Sequence, residues 1–94
     1  MNTQFKESFT KDLRKIADAL HRTDKDLLNR AKAAIETVEQ AQSLGEIPNL
    51  ERLKGWSKYY RIRVGDYRVG LAVEGDVVTF VRFLHRKDIY RYFP

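Results

Sequence analysis

Cysteine is absent from these 94 residues, which removes disulfides and thiolate metal sites from consideration. The absence suits a reducing compartment, and a cytoplasmic location is expected. Histidine occurs only as His21 and His85, with no HExxH-type spacing, so the sequence implies neither a metal nor any other cofactor. No run approaches the roughly 18 apolar residues of a membrane span. The opening MNTQFKESF lacks the apolar core of a signal peptide, so no membrane partner is expected. A Gly-rich phosphate loop, a GxGxxG turn and a nucleophile elbow are all missing. Repeats, low-complexity segments and linkers are missing too, which predicts one domain over residues 1–94.

What is present is an uneven charge. Residues 1–47 carry eight Lys/Arg and eight Asp/Glu; residues 48–94 carry ten and five, so the net +5 lies entirely in the second half. A neutral first half and a basic second half point to a polyanion partner for the latter. Solubility alone is the competing explanation, and the arrangement of the arginines speaks against it. In YYRIRVGDYRV, residues 59–69, two strand-like runs meet at Gly65-Asp66, a pair suited to a type II′ hairpin turn. That turn sets Val64 against Tyr67, Arg63 against Arg68 and Ile62 against Val69. Alternation then puts Tyr60, Ile62, Val64, Tyr67, Val69 and Leu71 on one face and Arg61, Arg63 and Arg68 on the other. Like charges opposed across a ladder repel unless an anion lies between them.

The flanking segments predict an α+β fold, with a helical hairpin packed on a small twisted antiparallel sheet. Asn2 to Lys6 reads as a short strand. Ser8 is the expected N-cap of a helix carrying Phe9, Leu13, Ile16, Ala17 and Leu20, ending near His21, which is read as a partner for the helix dipole. Thr23 or Asp24 caps a second helix bearing Leu27, Leu28, Ala31, Ala34, Ile35, Val38 and Ala41, stopped by Gly45 and Pro48. Leu50 and Leu53 fall in a connection before Gly55-Trp56. Strands follow at about 58–64, 67–74 and 77–84. A second two-residue turn at Gly75-Asp76 places Thr79, Val81 and Phe83 on the arginine face, with His85 continuing the alternation.

An imidazole leaving a strand beside three arginines can give or take a proton near neutrality. A surface or capping role is the plainer reading of a lone histidine. Tyr90 and Tyr92 offer phenols and stacking faces; equally, Ile89, Tyr92 and Phe93 read as a tail that packs on the core. Ser57 has no evident histidine–carboxylate partnership. A basic face, a histidine and tyrosines without a metal suit RNA cleavage, in which the ribose 2′-hydroxyl attacks its own phosphate. Arginine suits the charge-stabilising role through its two-bond fork, and suits the base role poorly.

From Leu53 to Tyr90 the chain resembles the RelE/ParE superfamily of bacterial type II toxin–antitoxin toxins, on the RelE side. The Leu-x-Gly step, the YRIRVGDYR hairpin and HRKDIYR after the last strand carry the resemblance. It implies a toxin that inhibits translation as a metal-independent endoribonuclease, cutting mRNA in the ribosomal A site. Its implied partners are a cognate antitoxin, the mRNA and the ribosome. Carried over, Arg61, Arg63, Arg68, Arg86 and Tyr90 fall on the family's catalytic positions. Arg61 and Arg63 stand where lysines are usual, and His85 is taken as the substitute base or acid. Lys54, Lys58, Lys87 and Arg91 are expected to contact RNA. The alternatives are a ParE-like inhibitor of DNA gyrase or a non-catalytic binding module on the same fold.

Overall fold

The structure, a computed structural model, describes residues 1–20 and 25–94; His21, Thr23 and Asp24, for which the sequence suggests capping or dipole roles, lie outside them. The element order is β1 (Asn2–Phe5), α1 (Glu7–Leu20), α2 (Lys25–Gln40), a 3₁₀ turn (Leu44–Glu46), β2 (Leu50–Arg52), β3 (Tyr59–Val64), β4 (Tyr67–Glu74), β5 (Val77–His85) and α3 (Arg86–Tyr92). The strands form one sheet ordered β1-β5-β4-β3-β2, with β1 parallel to β5 and the other pairs antiparallel. The fold is α+β, as the sequence predicts, but the sheet is mixed rather than wholly antiparallel because β1 joins its edge parallel to β5. Among the described residues, no helix is long and apolar enough to cross a membrane.

The hairpin register follows the predicted alternation: Val64 faces Tyr67, Arg63 faces Arg68 and Ile62 faces Val69. Gly65 takes φ 60°, the left-handed value a II′ turn needs at its first central residue. Ile62, Val64, Val69 and Leu71 are buried beneath the helices, together with Phe9 of α1 and Leu27, Ala31 and Val38 of α2. Phe9, Phe80 and Phe83 form a tilted aromatic cluster with centroids 5.3–6.3 Å from Phe9. Burying each such ring stabilises by about 1.5–3 kcal/mol relative to exposure.

Two departures from the predicted pattern position the far end of the sheet. Ser8 is not an N-cap: α1 starts one residue earlier, and the Ser8 hydroxyl donates instead to the Val81 carbonyl at 2.6 Å. Val81 is the extra residue of a β-bulge, because Leu71 faces Phe80 while its neighbour Gly70 faces Arg82. Asp12 holds the same bulge, taking two hydrogen bonds from the Arg82 guanidinium (2.7 and 3.0 Å) and one from the Phe83 N–H (3.0 Å). The slip of one residue reverses the faces beyond it. Phe83 therefore lies opposite Val69 in the core and His85 opposite Tyr67, not on the arginine face as uninterrupted alternation predicts.

The C-terminal segment is the second departure. Rather than an irregular tail, residues 86–92 form α3, which packs against β4 and β5 and buries Ile89. Phe93 is buried after it, over Gly70, where an added Cβ would come within 2.9 Å of the ring. Glycine is required there by the close approach of the ring.

Candidate nucleic-acid interface

The sheet face turned away from α1 and α2 carries Tyr59, Arg61 and Arg63 on β3 and Arg68 on β4. Leu50–Arg52, read from sequence as a connection, is the edge strand β2; Glu51 pairs with Arg61 across it and so joins this face. Asn49, at φ 62°, turns the chain into β2, and its carbonyl accepts the Arg63 N–H. Three residues are too short for alternation to show in the sequence, which is why Glu51 was missed.

Arg61 sits at the centre. Its Nη2 donates to Glu51 Oε2 at 2.9 Å, and its guanidinium carbon lies 4.8 Å from the Tyr90 ring centroid, a cation–π contact. Nη1 is buried and has no hydrogen-bond partner among the described residues. Arg68 folds back on the hairpin turn, donating through Nη1 to the Gly65 and Tyr67 carbonyls, each at 2.8 Å. The Arg63 side chain is exposed and has no hydrogen-bond or ion-pair partner among the described residues. Arg86 begins α3; its N–H donates to the Asp66 carbonyl at 2.7 Å, and its Nε lies 3.9 Å from Asp66 Oδ1. The turn of the arginine hairpin thus fixes the start of α3.

Electrostatics show that these groups share one field. Burial, followed by the charges of Arg61, Arg63 and Arg86, holds Arg68 below the usual guanidinium range. Arg68 stays cationic at physiological pH; the shift records a site where a further positive charge is unwelcome and an anion is favoured. The hydrogen bond from Arg61, then the Arg61 charge, with Arg63 and Arg68 adding, hold Glu51 below the usual carboxylate range.

The structure brings Arg61, Arg63, Arg68, Arg86 and Tyr90 together and leaves His85 apart. The His85 ring stands edge-on to Tyr67 at 5.3 Å and lines a cleft with Asp12, Lys15 and Ile16 of α1. Its Nδ1 accepts the Lys87 N–H at 3.1 Å as the N-cap of α3. Of the remaining cations, Lys54, Lys87 and Arg91 are exposed; Lys58 lies 3.6 Å from Glu74 and 5.4 Å from the Tyr59 ring centroid. Ile89 and Phe93 are core, whereas Tyr90 and Tyr92 are 66% and 52% exposed, so the tail divides between packing and surface. The arrangement can bind a phosphate by several guanidinium forks beside an exposed phenol, which is a means of stabilising charge on a phosphoryl group.

Residues 3–90 match the family described as ParE toxin of type II toxin-antitoxin system, parDE. Toxin RelE3 of Methanocaldococcus jannaschii is 40% identical over 95 residues, spanning the whole of both chains. The fold also matches the toxin in a RelB-RelE antitoxin-toxin complex from Methanococcus jannaschii, with 39% identity, a TM-score of 0.73, and coverage of 97% of this chain and 99% of that one. YafQ from E. coli shares the fold at 18% identity and a TM-score of 0.65, over 95% of this chain and 97% of its own.

Proposed function

This chain belongs to the RelE/ParE superfamily of type II toxin–antitoxin toxins, and on that premise we propose that it is a metal-independent endoribonuclease that cuts mRNA on the ribosome. The observation that carries the reading is the convergence of Arg61, Arg63 and Arg86 on Arg68, beside Tyr90. In this reaction the 2′-oxygen bonds to the adjacent phosphorus and the P–O5′ bond breaks. The upstream fragment ends in a 2′,3′-cyclic phosphate and the downstream one in a 5′-hydroxyl. The arginines hold the scissile phosphate and stabilise the added charge of the phosphorane, each such contact contributing about 10²–10³ in rate.

Tyr90 is the group we assign to protonating the leaving 5′-oxygen, because its phenol is exposed and its ring rests on Arg61. Glu51 is the carboxylate at hand to accept the 2′-hydroxyl proton. Its acidification by the arginines makes it a weak base, so charge stabilisation carries more of the rate than proton removal. His85 enters as a positioning residue, holding the start of α3 and with it Arg86 and Tyr90. Lys54, Lys87 and Arg91 supply outlying contacts to the RNA backbone. A cognate antitoxin with an acidic segment is the expected partner for this face, and the cytoplasm is the expected place of action.

The gyrase-inhibiting alternative is separated by experiment. Purified protein added to programmed ribosomes should cut mRNA and leave cyclic phosphate ends, and should leave gyrase supercoiling unchanged. Inhibited supercoiling with intact mRNA would reverse the assignment.

A further inference from the structure

Trp56 is the only tryptophan of the chain and is 52% exposed. A large apolar ring so placed loses the stabilisation of burial, which asks what it meets. Its position is fixed rather than loose. The Trp56 N–H donates to the Leu53 carbonyl at 3.2 Å, closing a turn in which Gly55 takes φ 84°, the left-handed value a type II turn requires at its third residue. The Leu53 N–H donates in turn to the Tyr59 carbonyl at 2.8 Å, tying the loop to β3. The indole stands edge-on to Tyr59 at 5.3 Å and Tyr59 edge-on to the buried Phe93 at 5.5 Å, a chain of rings anchored over Gly70.

Tyr59, Arg61 and Arg63 alternate along one face of β3 at about 6.6 Å per step, comparable to the advance between nucleotides of an extended strand. The aromatic chain therefore continues the arginine row at its open end. Lys54 and Lys58 flank Trp56 two residues to either side. Rings on a cationic track are how proteins hold single-stranded nucleic acid.

We propose that Trp56 is a base-stacking platform for single-stranded RNA, holding a nucleotide beside the one whose phosphate lies on the arginines. The proposal rests on the nuclease reading given above and adds a subsite that the arginine row lacks, since guanidinium groups on phosphates fix the backbone and leave the bases free. An exposed tryptophan also serves protein partners as an anchor. The cations on both sides and the continuity with Arg61 through Tyr59 favour RNA.

A lone tryptophan is its own reporter. Titration of the protein with a short single-stranded oligoribonucleotide, made uncleavable by 2′-O-methyl groups, should quench and shift the indole emission. With a fluorophore on the oligoribonucleotide, whose anisotropy reads binding without the indole, Trp56→Ala should lose roughly ten- to a hundredfold in affinity, as expected for a lost base–aromatic stack, while Trp56→Phe keeps most of it. An abasic site at the stacked position should weaken wild type and leave Trp56→Ala unchanged. Circular dichroism of both variants checks that the fold persists. Arg68-dependent binding with unchanged emission and an unaffected Trp56→Ala would overturn the subsite and leave the nuclease reading standing. Absence of any binding would overturn the subsite, while cleavage on programmed ribosomes decides the nuclease reading separately. Weakened antitoxin binding by Trp56→Ala, with RNA binding intact, would assign the indole to the protein partner and overturn the proposal.

Discussion

Arg63 and Arg68 face each other across the β3–β4 ladder, and only one of them is tied down: Arg68 turns back on two carbonyls of its own hairpin, while Arg63 stays exposed and unpartnered among the described residues. Two cations opposed on a rigid hairpin raise the local potential and favour an anion between them. The strand register itself thus sets two cations side by side on this face.

Asp12→Ala should destabilise the fold by about 1–3 kcal/mol, read by urea denaturation. It leaves the half-buried Arg82 guanidinium and the Phe83 N–H without the acceptor that holds the bulge. An unchanged denaturation midpoint would mean that the bulge holds without Asp12.

Gly70→Ala should cost about 1–3 kcal/mol, because the new methyl meets the Phe93 ring at 2.9 Å and the ring must shift. Cleavage should fall further than stability accounts for at a temperature where the variant is folded. Phe93 closes the segment that carries Arg86 and Tyr90, and its displacement moves both relative to Arg61. Full activity in a folded variant would uncouple Phe93 from the site.

His85→Ala and His85→Asn separate capping from proton transfer. Asparagine can accept the Lys87 N–H in place of Nδ1, so His85→Asn should retain most activity, while His85→Ala loses about 1 kcal/mol of stability and part of the rate. Equal and large rate losses in both variants, with the acid limb of the pH–rate profile gone, would restore the imidazole to the chemistry.

Glu51 gives a pH signature. Its carboxyl is more acidic in the folded chain than in the unfolded one, so its contribution to stability is fully present above the ordinary carboxylate range and is lost as pH falls through the depressed value. The stability difference between wild type and Glu51→Gln should therefore be constant near neutrality and shrink below about pH 4. A difference that grows on acidification would contradict the Arg61–Glu51 pairing.

The arginine hairpin was legible because period-2 alternation and a glycine turn fix both register and face, and Ile62, Val69 and the Arg63–Arg68 opposition stand where the pattern puts them. Extension of the same alternation to Phe83 and His85 failed at the Val81 bulge. That bulge depends on Ser8 and Asp12, about seventy positions earlier in the chain, and no local pattern records it. Ser8 looked like a cap because its residue type suits one, but the tertiary hydrogen bond to Val81 takes its hydroxyl. β2 and α3 were hidden by length, three and seven residues giving periodicity too little room. Glu51 is hidden with β2, and the bulge moves His85 off the face that uninterrupted alternation predicts. The charged half of the site was readable; its acidic member and the tail that completes it needed the fold.

The most direct measurement compares wild type with Arg68→Ala for single-turnover cleavage of mRNA on programmed ribosomes. Arg68 is a partly buried strand residue on the face away from the core, and its side chain bonds only carbonyls of its own hairpin, so the variant should fold. Its cleavage rate should fall by about 10²–10³, with 2′,3′-cyclic phosphate ends in whatever product forms. A folded Arg68→Ala that cuts at the wild-type rate would contradict the claim that the convergent arginines are the catalytic site.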